Sequence, residues 1–489
     1  MARLDWRGAD ITRVGTSPLA PVSSGGDLST ADYGAMTELT SHFDVLTNRL
    51  RGYVTRGNRS GLPTLPEPMG LVQVSSVALD GTPALSTLRF GGNSALSISS
   101  TSGLVELSDE MNRSFADGVH RVKAGGIYSS EHVSLESTPN GYGTFTFATL
   151  HDLDIGRPSL FTRGLFTQAR EATTTYGAAY LGDEWQVSGN LTLIYGARLD
   201  YGAYQGTGAT NPAIDSTFHL HVATAPSEIV LSPRIGFNYE FPTSSGENSP
   251  FSIRGGIGQF RGKIPAGIFA SALSETGAEG SQRQLTCVGP AAPVPDWSSY
   301  LGNSALIAST CQSGAPVFSS RAPAAAAFQS GFGAPRVWHG SLEGGVQLPR
   351  LFALQFSTVV VHGVRQPFAF DRNLVHDVHF TLPDEGNRPV YVASSAVDPL
   401  SGGVSPTASR LAPAYGTVRE LTSTGRSTTA QLTLGLVGLT PFRMGFGLYY
   451  TATRSRDDAA GTPSLGGIIP GATRYRPRRR TDHSARRRR

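Results

Sequence analysis

The chain has 489 residues, and its 41 Lys and Arg against 37 Asp and Glu give a formal net charge of +4. The last 16 residues hold nine Arg, one Asp and one aromatic residue, Tyr475, so the rest of the chain has 32 basic and 36 acidic residues. Nucleic-acid binding is not expected from this distribution. No apolar run approaches the roughly 20 residues of a transmembrane helix, and the first residues hold no apolar segment typical of a signal peptide.

Seven pairs of strand-like segments follow one another along the chain, each pair joined by a short turn. Such turns join antiparallel strands. The predicted pairs are 2–7 with 10–17, 36–43 with 48–57, 101–113 with 119–133, 172–187 with 190–204, 228–241 with 250–262, 335–347 with 351–364, and 423–438 with 442–455.

Long connections separate these pairs, among them 58–100, 134–171, 263–334 and 365–422. Compact soluble domains rarely contain connections of this length. Transmembrane barrels do, because they alternate short periplasmic turns with long extracellular loops. The sequence therefore predicts an all-β fold, an antiparallel transmembrane β-barrel of about 14 strands.

The stretch NLTLIYGARLDYGAY (190–204) shows the alternation of a membrane strand. Apolar residues fill one face, and Arg198 and Asp200 lie on the other. The same alternation places Arg234, Glu240 and Arg254 on the polar faces of SPRIGFNYEF and FSIRGGIGQF. An arginine that faces lipid at the midplane costs about 2–4 kcal/mol. We therefore predict that all five point into a polar lumen, where they hold the wall or contact a plug or a solute.

Both cysteines of the chain, Cys287 and Cys311, lie in the connection 263–334. A disulfide within this loop and two separate thiols are both compatible with the sequence, whereas the absence of a CxxC pair argues against zinc. This long loop is also where we expect contact with a solute. Its apolar piece IPAGIFASAL (264–273) is expected to form a helix packed at the rim.

The sequence shows no enzyme signature such as G-x-S-x-G or H-E-x-x-H. His219 and His221 would share a strand face, and His376 lies near His379, but loop histidines are more often solvated than metal-bound. We expect no catalytic residue, no metal and no cofactor. A secreted or surface β-rich adhesin without transport activity remains the alternative, although it would usually show shorter strands or a repeat of about 40–50 residues.

The segment YGAAYLGDEWQVSGNLTLIYGARLDYG (176–202) resembles the strand–turn–strand signature of TonB-dependent outer-membrane receptors. LSPRIGFNYEF and SIRGGIGQFRG resemble the next hairpin of the family. The resemblance spans roughly residues 1–458. It points to the Oar-like subgroup, whose members often carry a carboxypeptidase-regulatory-like domain. The signature residues, besides Arg198 and Asp200, are Tyr180, Asp183, Trp185, Leu191, Thr192, Leu193 and Gly196.

The resemblance implies a barrel of about 22 strands with a plugged lumen in the outer membrane. Its partners would be outer-membrane lipid, the TonB complex acting through a plug domain, and an unidentified extracellular solute. About 14 strands and no plug are found here, so we expect residues 1–458 to form an incomplete barrel that is not functional alone. The Arg- and Pro-rich string 459–489 is expected to be a disordered tail with the composition of a frameshifted reading of GC-rich DNA.

Overall fold

The computed structural model describes residues 1–457, apart from 78–80, 116–117, 139, 166–168, 207, 242–250, 279–282, 313–317, 321, 349–351, 384–386, 398–403, 406, 441 and 443. The expected tail, 459–489, lies outside the described residues.

Strands dominate the described residues. They are β1 (Ala2–Ile11), β2 (Gly26–Phe43), β3 (Leu46–Pro63), β4 (Met69–Val77), β5 (Pro83–Gly91), β6 (Ile98–Phe115), β7 (His120–Ser137), β8 (Thr144–Phe147), β9 (Leu160–Leu165), β10 (Ala169–Ser188), β11 (Leu191–Gly206), β12 (Ser227–Glu240), β13 (Phe251–Arg261), β14 (Arg283–Val288), β15 (Phe318–Ser320), β16 (Ala325–Phe328), β17 (Arg336–Leu348), β18 (Phe352–Asp371), β19 (Phe380–Leu382), β20 (Arg388–Val390), β21 (Val418–Leu439) and β22 (Gly445–Asp457). The α-helices are α1 (Leu150–Asp154), α2 (Pro212–Phe218), α3 (Ala266–Ser274) and α4 (Trp297–Gly302).

Long antiparallel strands form one continuous sheet, which we call the wall. Its order is β1-β2-β3-β6-β7-β10-β11-β12-β13-β17-β18-β21-β22, thirteen strands in all within the described residues. The short strand β16 joins β21 in parallel and brings this sheet to 14 strands. Six of the seven hairpins expected from the sequence are present and in register, which confirms the antiparallel barrel wall.

The prediction of a first hairpin, 2–7 with 10–17, is wrong. Residues 2–11 form a single strand that pairs with β2, from Ala2 opposite Thr37 to Ile11 opposite Leu28. The backbone first takes positive φ angles at Arg13 (58°) and Gly15 (85°), so the chain leaves the sheet only after β1 is complete. The connection from β1 to β2 is therefore one of the long ones.

At β11 and β12 the wall exposes its apolar face and buries part of its polar face. On β11 and β12, Leu199 lies opposite Leu231, and these side chains are 50% and 61% exposed. On the other face of the same strands, Asp200 and Ser232 are each 1% exposed. A soluble sandwich shows the reverse arrangement, because its apolar residues form the core. A lipid-facing outer surface and a polar interior explain this inversion.

Three long connections, 64–97, 138–168 and 262–335, build a second sheet that we call the loop layer. It has six strands in the order β15-β14-β9-β8-β4-β5. Its core includes the fully buried rings of Phe145, Phe147 and Phe161. The sequence analysis did not predict these strands. Four of them, β8, β9, β14 and β15, have only three to six residues, and the pairings β4 with β8 and β9 with β14 join different connections.

The wall is not closed. Among the described residues, β1 pairs only with β2, and β22 pairs only with β21. This confirms the expected incomplete barrel. Within the same ranges, no helix has the length and apolar character needed to cross a membrane.

Candidate functional site

The polar face of the wall carries all five charged side chains that the sequence assigned to a lumen. Directly opposed residues of antiparallel strands share a face, and Arg198 lies opposite Ser232, two residues before Arg234. Asn238, two residues before Glu240, lies opposite Arg254. The register thus places one set on a single face: Arg198, Asp200, Arg234, Glu240 and Arg254.

Asp200 and Arg198 form the first cluster on this face. Oδ1 of Asp200 accepts a hydrogen bond from the Tyr176 hydroxyl and another from Nε of Arg198 at 2.8 Å. The Arg198 guanidinium also donates to the Tyr176 hydroxyl at 2.6 Å, and it lies 5.7 Å from the ring centre of Tyr180. Partners of this kind are needed because an unpaired buried charge costs several kcal/mol.

Glu228 is the centre of a second cluster. Its Oε1 atom accepts a hydrogen bond of 2.8 Å from Nε of Arg261, and its Oε2 atom accepts one of 3.3 Å from Arg336. Arg261 donates in addition to the Tyr204 hydroxyl at 3.1 Å and lies 5.3 Å from the ring centre of Tyr176. The two clusters therefore touch. We call them the inner-face network: Tyr176, Arg198, Asp200, Tyr204, Glu228, Arg261 and Arg336.

The connection 262–335 folds onto this network, and α3 is its point of contact. Phe269 of α3 is fully buried, and its ring stacks on Tyr204 with ring centres 3.7 Å apart. At the end of the same connection, the backbone N–H of Ala334 donates to Oε1 of Glu228 at 2.9 Å. The helix expected near 264–273 is therefore present and packs on the inner face.

Ion pairs hold both ends of α3 to the wall. Before the helix, Nζ of Lys263 lies 2.9 Å from Oε2 of Glu131 on β7. After it, Glu275 pairs with Arg419 on β21. The helix thus bridges strands that are far apart in the sheet.

The remaining charges of the predicted set lie outside the network. Arg234 stacks on Phe260, with the guanidinium carbon 4.2 Å from the ring centre. Arg254 pairs with Glu343 at 2.7 Å, and these side chains are 72% and 37% exposed. Glu240 is the last residue of β12, at the short-turn end of the wall, and is exposed.

The signature residues of β10 divide between the two faces. Tyr180 lies on the polar face, where its hydroxyl donates to Oε2 of Glu110 at 2.8 Å. Asp183 lies on the apolar face, opposite Tyr195, whose hydroxyl donates to Oδ2 of Asp183 at 2.9 Å. Trp185, on the same face, stacks on His120 with ring centres 5.6 Å apart. Tyr and Trp at such positions match an interfacial girdle.

The signature residues of β11 set its register against both neighbours. Leu191, Thr192 and Leu193 begin the strand and pair with the end of β12. Gly196 lies opposite Gly182, and a Cβ atom at Gly196 would approach the carbonyl oxygen of Leu181 to 2.6 Å. Glycine is required there because the backbone itself fills the space.

The cysteines are joined in the loop layer. Cys287 of β14 and Cys311 form a disulfide with their Cα atoms 5.5 Å apart. Cys287 is fully buried in the core of the layer.

Sequence analysis missed much of the inner-face network. Tyr204 and Glu228 continue the alternations of Asp200 and Arg234, so extending the pattern along β11 and β12 would have found them. Arg261 had no such signal, because its partners come from β11 and β12. The residues missed are Tyr176, Tyr204, Glu228, Arg261 and Arg336.

The histidine pair considered for a metal is not arranged as expected. His219 caps α2 with a φ of 55° and is not in a strand, so the shared strand face with His221 is wrong. Nδ1 of His221 lies 3.1 Å from Oδ2 of Asp215. In the described part of the chain, no group of three or more His, Cys, Asp or Glu residues is placed to hold a metal ion.

Comparisons with known proteins place the geometry in context. Residues 35–488 match the model of a family described as an outer membrane beta barrel domain. No curated protein matches the chain. The outer membrane transporter YddB from Escherichia coli is similar in structure, with a TM-score of 0.54 and 11% identity over 93% of this chain and 46% of that one. The ferripyoverdine receptor of the outer membrane of Pseudomonas aeruginosa gives a TM-score of 0.45 and 12% identity over 95% and 48%. The chain thus spans about half the length of these structures.

Proposed function

Because the chain belongs to the family of outer membrane beta barrel domains, we propose that it forms part of the wall of a TonB-dependent receptor. The chain is an outer-membrane protein with the fold of a receptor barrel. In this proposal the receptor recognises an extracellular solute and takes it up with energy relayed by TonB through a plug domain. Membership of the Oar-like subgroup stays a prediction.

The inverted wall is the observation that carries the proposal. Large apolar side chains such as Leu231 and Ile229 are 61% and 69% exposed on the outer face, while Asp200 is 1% exposed on the inner face. Lipid on one side and a filled polar lumen on the other account for both facts. The proposal assigns no catalytic activity to this surface.

The charges on the inner face divide by role in this proposal. Arg198 and Asp200 hold the wall, because their charged groups are paired with each other and with Tyr176. Arg234 and Arg254 are more exposed and are available to a plug or a solute. Closure of the open wall is a condition for transport, so the described strands alone do not form a sealed pore.

Surface recognition without transport is the second candidate. The loop layer favours it, because three connections share one sheet, one aromatic core and a disulfide. A loop with its own core presents a fixed surface, which suits binding to an extracellular partner.

A transport experiment in the native host separates the two candidates. Accumulation of a panel of radiolabelled nutrients is measured in the wild type, in a strain that lacks this gene and in a strain that lacks TonB. Transport predicts at least one nutrient whose accumulation falls in both mutants. Unchanged accumulation of every nutrient, together with lost cell-surface binding in the gene deletion alone, contradicts transport and supports recognition.

A further inference from the structure

A polar cavity of about 300 Å³ lies on the wall away from the inner-face network. Strands β2, β3 and β6 supply its lining in two cross-strand rows. The cavity opens on the polar face. Its lining residue Ser102 lies opposite Val133 of β7, and Val133 in turn lies opposite Ala172 of β10. Ala172 is four residues before Tyr176 on the same strand, so all of these residues share the face of Tyr176. The rows are Asp32–Gly57–Ser102 and Thr30–Arg59–Ser100.

The cavity contains one negative and one positive side chain that are not paired. Asp32 and Arg59 are diagonal neighbours across β2 and β3, positions whose Cβ atoms are typically about 7–8 Å apart. Within the described residues, neither the Asp32 carboxylate nor the Arg59 guanidinium makes an ion pair. On the same face, Arg51 is paired with Glu38 at 2.8 Å. Both charges of the cavity are therefore available to a ligand.

Gly57 forms the floor between the two charges. A Cβ atom at this position would lie 2.7 Å from Oγ of Ser102 and 2.8 Å from Oδ1 of Asp32. These two side chains thus lean over the glycine, which directs a carboxylate oxygen and a hydroxyl toward the cavity. A methyl group at position 57 would displace both.

We propose that this cavity binds a small zwitterionic solute of the amino-acid type, a proposal that rests on solute uptake as the function. The ammonium group binds Asp32, and the carboxylate binds Arg59, whose planar guanidinium matches a carboxylate in two parallel hydrogen bonds. The hydroxyls of Thr30, Ser100 and Ser102 surround the remaining polar atoms. The volume equals that of about ten liquid waters, which fits a single small amino acid.

Other ligand classes match the cavity less well. A simple anion would leave Asp32 without a partner, and a simple cation would leave Arg59 without one. A neutral sugar would leave both charges without a partner of opposite charge. A zwitterion satisfies both at once.

The test measures binding of radiolabelled glycine to the full chain in lipid nanodiscs by equilibrium dialysis. Acetate, methylammonium and glucose serve as competitors. The variants are Asp32→Asn, which removes one charge at nearly constant size, Arg59→Gln, which removes the other charge with a shorter side chain, and Gly57→Ala, which displaces Asp32. Arg51→Gln, on the same strand and face as Arg59 but outside the cavity, is the matched control. Circular dichroism of every variant shows whether the strands are retained.

Glycine is expected to bind the wild type and Arg51→Gln equally. Asp32→Asn and Arg59→Gln are each expected to weaken binding by about 10-fold to 100-fold, the range for one hydrogen-bonded charge. Gly57→Ala is expected to weaken it as well. The proposal is overturned if folded wild-type protein does not bind glycine, if acetate or glucose competes as well as unlabelled glycine, or if Asp32→Asn binds normally.

The two proposals can fail separately. Glycine binding in nanodiscs needs neither TonB nor a closed barrel, so a failure of uptake in cells leaves the binding result intact. Uptake of some other nutrient without any binding of glycine would contradict only the cavity assignment.

Discussion

Glu228 and Arg261 show 8% and 5% of their side chains to solvent, whereas Glu343 and Arg254 show 37% and 72%. The N–O distances are nearly the same, 2.8 and 2.7 Å. Burial, and not distance, therefore makes the two ion pairs differ in how much the loss of one partner lowers the stability of the fold. Removing one partner of a buried pair leaves the other charge without solvent or counterion, while an exposed partner is solvated again by water.

Replacing Arg261 with Met should destabilise the folded chain by up to about 3–5 kcal/mol, because the buried Glu228 then keeps Arg336 as its counterion but loses the closer one. The same change at Arg254 should cost about 0–1 kcal/mol, because that pair is exposed. Urea unfolding in detergent, followed by tryptophan fluorescence, measures both. Equal losses in the two variants would show that burial does not set the cost.

A pH effect is expected at Glu67, which lies between β3 and β4 and is 6% exposed. Burial raises the pKa of this carboxyl above its usual value of 4.5. The folded state thus favours the neutral form, so this contribution to stability is complete below pH 4.5 and is lost as the pH rises through the raised pKa. Glu67→Gln should slow hydrogen exchange of β4 at pH 7 and leave it unchanged near pH 4. Faster exchange at pH 7 would mean that the carboxylate has a stabilising partner.

Among the elements, the wall strands could be predicted from sequence and the loop layer could not. β10 and β11 alternate over their whole length, because each strand meets lipid on one face and a polar interior on the other. In the loop layer, Phe145 packs on Phe161 of the neighbouring strand and near Leu285 of a third, more than 100 residues away in sequence. Strands of four to six residues are too short to show a period, and their partners depend on the tertiary fold.

The α3 helix should come away from the wall when its anchor is removed. Phe269→Ala deletes a fully buried ring that stacks on Tyr204, a change that typically costs about 3–5 kcal/mol. We expect faster hydrogen exchange in residues 266–274 and an unchanged rate in β10. Leu301→Ala, at a side chain of α4 that is 54% exposed, is the matched control. Equal protection of α3 in Phe269→Ala and the wild type would contradict this anchoring.

Loss of the disulfide should loosen the loop layer alone. Cys287 and Cys311 are 24 residues apart, and a crosslink over such a distance contributes about 3 kcal/mol in the chain-entropy model. The double substitution of both cysteines by Ser should increase hydrogen exchange in β9 and β14. Exchange in β7 and β10 should stay the same, because the wall has its own hydrogen-bond ladder. Increased exchange throughout the wall would show that the two sheets unfold together.

At the scale of the whole molecule, the open wall decides how the chain behaves. The edges β1 and β22 each leave one side of a strand without a sheet partner in the described residues. Unpaired backbone groups recruit other strands in water and are costly in lipid. The fold class followed from the alternation of short turns and long connections, and the incompleteness from comparing about 14 strands with the roughly 22 that the family resemblance implies. The position of α3 did not, because nothing in IPAGIFASAL specifies that it turns inward.

The purified chain should therefore self-associate in detergent. Sedimentation velocity should show species larger than one 51.6 kDa chain that increase with concentration. At dilutions where the chain is monomeric, hydrogen exchange should be fast in β1 and β22 and slow in β7 and β10, which have partners on both sides. A single concentration-independent monomer with protected edge strands would contradict this expectation.

The count of thirteen has a consequence for how the ring can close. Successive wall strands reverse direction, so the first and the thirteenth run the same way across the membrane. A ring in which all neighbours are antiparallel contains an even number of strands. Any set that completes this wall in that pattern must contribute an odd number, with both of its outermost strands directed against β1 and β22. Two copies of the wall that are inserted in the same orientation cannot close each other in this way, since each seam would join strands of the same direction. Although twenty-six strands is an even number, the shared orientation in the membrane thus excludes the symmetric antiparallel dimer.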